Sequence, residues 1–170
     1  PSEVMPNQPI RYTFSQIGNT SNVALDSFYW RDTLPAQVTV NRLVTGTYNQ
    51  AQNYKIVYKV NGAGAYRTLA DNLSTTKNYV LDMRPAVLGL AANERVTEIM
   101  FVFGTVPAGF AQVETPMLYC TAASNLTGGS AFVNVADAGG IYSGQWVQAV
   151  SRWLTTVYAK MTMTLPKTGY

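Results

Sequence analysis

Leu165-Pro166-Lys167-Thr168-Gly169 is the one stretch of this 170-residue chain whose residue types and spacing nominate a specific reaction. Leu-Pro-x-Thr-Gly is the pattern read by sortase transpeptidases, so the chemistry would be done to the chain rather than by it. Other reactive groups are sparse. Histidine is absent and Cys120 is the single cysteine, which removes the usual zinc sets and the serine or cysteine triads built around histidine. Cys120, within Tyr119-Cys120-Thr121, reads as a small buried apolar side chain. The acids Glu3, Asp26, Asp32, Asp71, Asp82, Glu94, Glu98, Glu114 and Asp137 are dispersed. A glycosidase needs two of them together in space, and nothing in their spacing nominates a pair. No calcium loop, Walker loop or dinucleotide fingerprint appears. The chain is therefore expected to be no enzyme and to need no metal or cofactor.

Aromatic residues are the second set with chemical potential. Trp30, Trp146 and Trp153, with 11 tyrosines, could form a stacking platform for carbohydrate. The competing reading is core packing, because Tyr12, Trp30, Tyr54, Tyr58, Phe101 and Trp153 sit in β-alternating runs. The discriminating feature is whether three or more aromatics share one exposed concave face. A third chemistry, a Lys–Asn isopeptide staple, would draw on Lys55 or Lys59 and on Asp26, Asp32, Glu98 or Glu114 as the acid. Those lysines read more simply as solvated strand residues.

The elements that must position these groups are strands. Ile10, Tyr12 and Phe14 alternate with Arg11, Thr13 and Ser15, the period of a half-buried strand. Tyr54, Ile56, Tyr58 and Val60 share one face, and Asn61-Gly62-Ala63-Gly64 turns the chain into Tyr66-Arg67-Thr68-Leu69 as a hairpin. Further strands are expected over 27–33, 38–46, 94–103, 113–122, 130–135, 141–147 and 153–160. Only 85–93 reads as a short helix, with Pro85 in the first turn and Gly89 weakening the interior. The expected fold is all-β: an antiparallel sandwich of about nine or ten strands with one short helix. Residues 1–9 read as a linker, 10–160 as the sandwich domain and 161–170 as an exposed tail.

Composition narrows the setting. Charged residues are only 12% of the chain against 47% apolar, so the surface is neutral and hydrogen-bonding, as in many extracellular β proteins. The net charge of +3 comes from 12 basic and 9 acidic residues, and no two basic residues are adjacent. Nucleic acid is not an expected partner. The start at Pro1 and the stop at Tyr170 read as those of a piece of a longer precursor. A membrane contact is expected only through an apolar C-terminal segment beyond Tyr170.

Pro6–Pro35 resembles the start of the conserved-repeat domains (domain of unknown function eleven-like) of Gram-positive, wall-anchored surface proteins. Tyr12-Thr13, Gly18-Asn19-Thr20 and Asp32-Thr33-Leu34-Pro35 carry the likeness; Ser15-Gln16-Ile17-Gly18 departs from it. Val44–Asn49 and the region from Tyr119 to Gly140 look like Firmicutes versions of the same domain. The resemblance implies an Ig-like sandwich, secreted to the cell wall, serving as a stalk or adhesin. It also implies that a sortase cysteine attacks the Thr168 carbonyl and breaks Thr168–Gly169. Leu165 and Pro166 then seat the kinked substrate, Lys167 fills the variable position, and a peptidoglycan precursor amine resolves the acyl intermediate. The candidate ligand is a glycan or host protein bound by exposed aromatics. A pilin role would need a lysine acceptor, and no motif identifies one.

Overall fold

Strands form where the side chains alternate. In the computed structural model, which describes residues 3–14 and 17–157 (for Glu3 and 150–157 the backbone alone), Ile10, Tyr12 and Phe14 point inward while Arg11 and Thr13 face solvent. The elements run β1 (Glu3–Val4), β2 (Pro9–Thr13), β3 (Leu25–Thr33), β4 (Val38–Val44), β5 (Asn53–Val60), β6 (Ala63–Ser74), β7 (Val80–Asp82), α1 (Pro85–Leu88), β8 (Val96–Val106), β9 (Met117–Ala122), β10 (Ala131–Tyr142) and β11 (Gln145–Val157). They build a seven-stranded sheet ordered β1-β11-β10-β3-β8-β5-β6 and a four-stranded sheet ordered β2-β9-β4-β7. All described pairings are antiparallel except β1 with β11. The expected all-β sandwich is the fold observed.

Two-residue turns set the register of the long hairpins. Asn61 and Gly62 (φ 53° and 63°) join β5 to β6, and Ser143 and Gly144 (φ 49° and 75°) join β10 to β11. Positive φ at both central residues matches strand twist, which is why Asn-Gly and Ser-Gly suit these sites. The second hairpin corrects the sequence reading, which split this region into 130–135, 141–147 and 153–160. Gly139-Gly140 is not a break. A Cβ at Gly139 would sit 2.5 Å from the Val147 carbonyl oxygen, and one at Gly140 would sit 2.9 Å from the Asp26 carbonyl oxygen. Glycine there permits close strand approach within a continuous ladder.

The helix is also shorter than expected, ending at Leu88 rather than 93. Gly89 takes a left-handed φ of 69°, and the Leu90 N–H closes the turn on the Pro85 carbonyl at 2.9 Å. That is a glycine C-terminal cap rather than an interior position. Strand β9 begins at Met117 rather than at 113. No helix among the described residues is long and apolar enough to cross a membrane. Residues 1–9, expected as a linker, contain β1, and Val4 is buried within the core.

Between the sheets lies an aromatic core. Phe14 packs on Trp30 at 4.5 Å between centroids, Trp30 lies edge-on to Phe101 at 5.2 Å, and Tyr48 stacks on Phe110 at 5.5 Å. Each such ring contributes roughly 1.5–3 kcal/mol by burial alone. Tyr54, Ile56, Tyr58 and Val60 all face this core, as their spacing predicts. So does Cys120, whose thiol is pushed up in pKa by burial and further by the nearby Asp32.

Candidate functional site

Strand β3 positions one side chain in two on the outer face of the seven-stranded sheet. Phe28, Trp30 and Asp32 point inward while Tyr29 and Arg31 point out. A register shift between Leu25 and Phe28, with Ser27 at φ 50°, marks a bulge at the start of this run. Positive φ is uncommon for a non-glycine residue, and bulges re-aim side chains near functional sites.

Arg31 and Asp137 oppose each other across β3 and β10. The guanidinium donates from Nε to Oδ1 and from Nη2 to Oδ2, both at 2.8 Å. Tyr29 donates its hydroxyl to Oδ2 at 2.7 Å. Gln148 on β11 donates its amide to Oδ2 at 3.0 Å and to the Tyr29 oxygen at 2.9 Å. Burial alone would raise the Asp137 pKa, but donation from Arg31, Tyr29 and Gln148 outweighs it and holds the carboxyl below its ordinary value. Asp137 accepts four hydrogen bonds, three of them on Oδ2 and one on Oδ1. It acts as an ionised anchor for its neighbours rather than as a proton acceptor.

A second acid organises the opposite wall. Glu98 on β8 accepts the Tyr66 hydroxyl at 3.0 Å and lies 3.8 Å from Arg31 and 3.7 Å from Lys59. Arg31 is thereby shared between two carboxylates, and its hydrogen bonding to Asp137 is the main reason its pKa is raised. Cations also fix the rings: Arg31 lies 5.5 Å from the Tyr29 centroid and Lys59 lies 4.4 Å from that of Tyr66. Both are within cation–π range. Burial, more than the Asp137 hydrogen bond, keeps the Tyr29 phenol unionised to higher pH than usual.

Trp146 completes the rim. It stands two residues past the β10–β11 turn, 64% exposed, with its ring edge-on to Tyr29 at 6.1 Å and 69°. Tyr29, Tyr66 and Trp146 thus line one open cleft of about 420 Å³, floored by Met100 and Val102. Gly139 lies beside Tyr29, and a Cβ there would meet the Tyr29 ring at 3.4 Å. Its bare backbone lets Tyr29 and Gln148 close over β10.

The three tryptophans proposed from sequence separate. Trp146 belongs to the cleft. Trp30 does not: it is 4% exposed and packs among Phe14 and Phe101 in the core, because its position in β3 has inward parity. The side chain of Trp153 lies outside the described residues, as do Leu165, Pro166, Lys167, Thr168 and Gly169. Tyr29, Arg31, Tyr66, Glu98, Asp137 and Gln148 were not singled out as cleft residues from sequence. The usable signal was period-two parity in β3, which assigns Tyr29 and Arg31 opposite to Phe28 and Trp30.

Two other polar features lie apart from the cleft. Asp32 and Asn134 sit fully buried on the inner face, and among the described residues neither side chain meets a hydrogen-bond partner of good geometry. Burial drives the Asp32 pKa well up, and the adjacent Asn134 only partly opposes it. Lys59 projects from the opposite face of the sheet, bound to Glu98, and Lys55 is exposed there. Of the acids considered for a Lys–Asn isopeptide bond, Asp32 therefore lies on the other face from both lysines, while Glu98 lies beside Lys59. On the four-stranded sheet, Arg42 stacks over Tyr119 at 4.1 Å, and Arg84 engages Asp82. No group of three or more metal-ligating side chains occurs among the described residues.

No protein-family model and no curated protein matches the chain. Among solved structures it is similar to AvmM, described as catalysing macrocyclization in alchivemycin A biosynthesis, at 12% identity and a TM-score of 0.28 over 89% of this chain and 83% of that one. A likeness at that level carries no argument about this chain's function.

Proposed function

We propose that this chain is a non-enzymatic adhesive domain of a sortase-anchored cell-surface protein, and that the cleft between Trp146 and Tyr66 is its recognition site. One observation carries the recognition reading: Tyr29, Tyr66 and Trp146 line one open cleft over Met100 and Val102, and the two tyrosines are held by hydrogen bonds to Asp137 and Glu98. Exposed aromatics over pre-fixed polar groups are how ligand sites combine contact area with orientation.

The anchoring part rests on Leu165-Pro166-Lys167-Thr168-Gly169 and on the resemblance of Pro6–Pro35. In this reading the partners are a sortase and a peptidoglycan precursor joined through Thr168, and the location is the cell wall. Incubation with a class A-type sortase and an oligoglycine amine tests it: the expected product carries the amine on Thr168. Processing of Thr168→Ala at the wild-type rate would show that the cleavage site is misassigned. For the recognition part, binding of the whole chain to a glycan array and to immobilised matrix proteins is expected to yield at least one ligand lost in Trp146→Ala. Binding by neither format would leave a purely structural stalk.

A further inference from the structure

The geometry points to an uncharged, polyhydroxylated ring, a neutral saccharide, as the ligand of the Trp146–Tyr66 cleft. This rests on the recognition reading above and narrows it to one chemical class.

Charge pairing disfavours an ionic ligand first. The ionised groups around the cleft are Arg31 and Lys59 against Asp137 and Glu98, and each lies within 3.8 Å of an opposite charge. These four charges sum to zero; Lys55, opposite Val102 across β5 and β8, is a further exposed cation at the margin of this face. A ligand carboxylate or sulfate entering here would lose hydration and compete for an arginine already held in a two-bond fork by Asp137. An unpaired charge brought into such a site is strongly disfavoured. A ligand cation would meet two carboxylates whose oxygens already accept from Arg31, Tyr29, Gln148 and Tyr66.

The spare hydrogen-bonding capacity then selects the ligand's polar groups. Gln148 uses its amide N–H on Asp137 and Tyr29, which leaves its carbonyl oxygen as an acceptor toward the cleft. Ser27, exposed at the bulge, offers a hydroxyl that can give or take a proton. Arg31 Nη1 lies 3.8 Å from Glu98, and the guanidinium, which also meets Tyr66, carries five N–H donors in all. The lining therefore contains both donors and acceptors. A hydroxyl answers both kinds, whereas a carboxylate only accepts and an apolar side chain does neither.

The remaining wall is an indole face. Trp146 offers flat apolar surface beside these polar groups, and a pyranose has the same division: C–H bonds on its faces and hydroxyls around its edge. Tyr29, Arg31, Tyr66 and Gln148 are each already held by an internal bond, so little of their side-chain freedom is lost on binding. The volume of about 420 Å³ falls within the range of small-ligand sites and suits a short oligosaccharide.

The test is a titration of the full chain by calorimetry and tryptophan fluorescence. The probes are maltohexaose, chitohexaose and lacto-N-tetraose, set against oligogalacturonate, sialyllactose and gelatin, with a wider glycan array behind them. The expected result is saturable binding of a neutral glycan, weakened at least tenfold in Trp146→Ala and several-fold in Gln148→Ala, with Tm confirming that both variants fold. Glu98→Gln, which leaves a net positive cleft, is expected to shift preference toward the acidic counterpart. Tighter wild-type binding of the acidic glycans would overturn the saccharide class named here while leaving the recognition site intact. Trp146-dependent binding of gelatin with no glycan bound would do the same. Absence of any Trp146-dependent binding to probes or array would overturn both.

Discussion

Asp137 receives Arg31 through two parallel N–H···O bonds of 2.8 Å, and its second oxygen also takes the hydroxyl of Tyr29. One carboxylate on β10 therefore sets the positions of a cation and a ring on β3. Asp137→Asn should remove the charge from this fork and leave Arg31 partnered by Glu98 alone. Because Arg31 is about a third exposed, the expected loss is about 2 kcal/mol rather than that of a fully buried pair. Urea unfolding of the two proteins at pH 7 checks it.

The pH dependence of that loss has a definite sign. The folded pKa of Asp137 is lowered, so its contribution is present above the unfolded carboxylate value near 3.9 and fades as pH falls through the folded value. Wild type and Asp137→Asn should thus be separated at pH 5 and draw together as pH falls below about 3.9. A constant difference across that range would mean that the ionised form of Asp137 is not what holds the fork.

Asp32 should behave in the opposite way. Its folded pKa is raised by burial, so the stability of the protonated form is complete below about pH 4 and declines as pH rises toward the folded value. Asp32→Asn, which cannot ionise, should match wild type near pH 3 and exceed it by at least about 1 kcal/mol at pH 7. The same unfolding series reads this out.

Gly139→Ala tests the close approach under Tyr29. The added Cβ would lie 2.5 Å from the Val147 carbonyl oxygen, which forces β11 away from β10. A loss of about 1–3 kcal/mol in stability is expected, as in overpacked sites. Because the shift also moves Gln148, ligand affinity should fall along with Tm.

Trp30 and Trp146 should part in thermal melts. Trp30→Ala removes a ring packed between Phe14 and Phe101, a loss of about 3–5 kcal/mol. Trp146, 64% exposed, should change stability by under about 1 kcal/mol on the same substitution.

Much of the fold was legible in local pattern, and most of the cleft was not. Alternation identified the inward faces of β2 and β5, and Asn61-Gly62 identified a hairpin, because parity and positive φ are properties of a few neighbouring residues. Phe28-Tyr29-Trp30 was harder. Read as one aromatic cluster it nominates Trp30, whereas parity within the strand gives the outer face to Tyr29. The stretch Ala136–Gly140 misled for a different reason. Asp and Gly-Gly are poor strand residues, yet here the acid anchors Arg31 and the glycines admit neighbouring backbone. Tyr66 and Glu98 meet from β6 and β8, and Gln148 meets Asp137 across a hairpin. Such contacts depend on sheet order, which no local spacing encodes.

The central claim is that recognition happens at Trp146. Indole N–H NMR spectra of the whole chain, recorded with and without a saturating neutral oligosaccharide selected from the array, test it directly. The Trp146 resonance, assigned from its absence in Trp146→Phe, should move on ligand addition while that of the core residue Trp30 stays fixed. An unmoved Trp146 signal alongside measurable binding would place the ligand elsewhere and contradict the account.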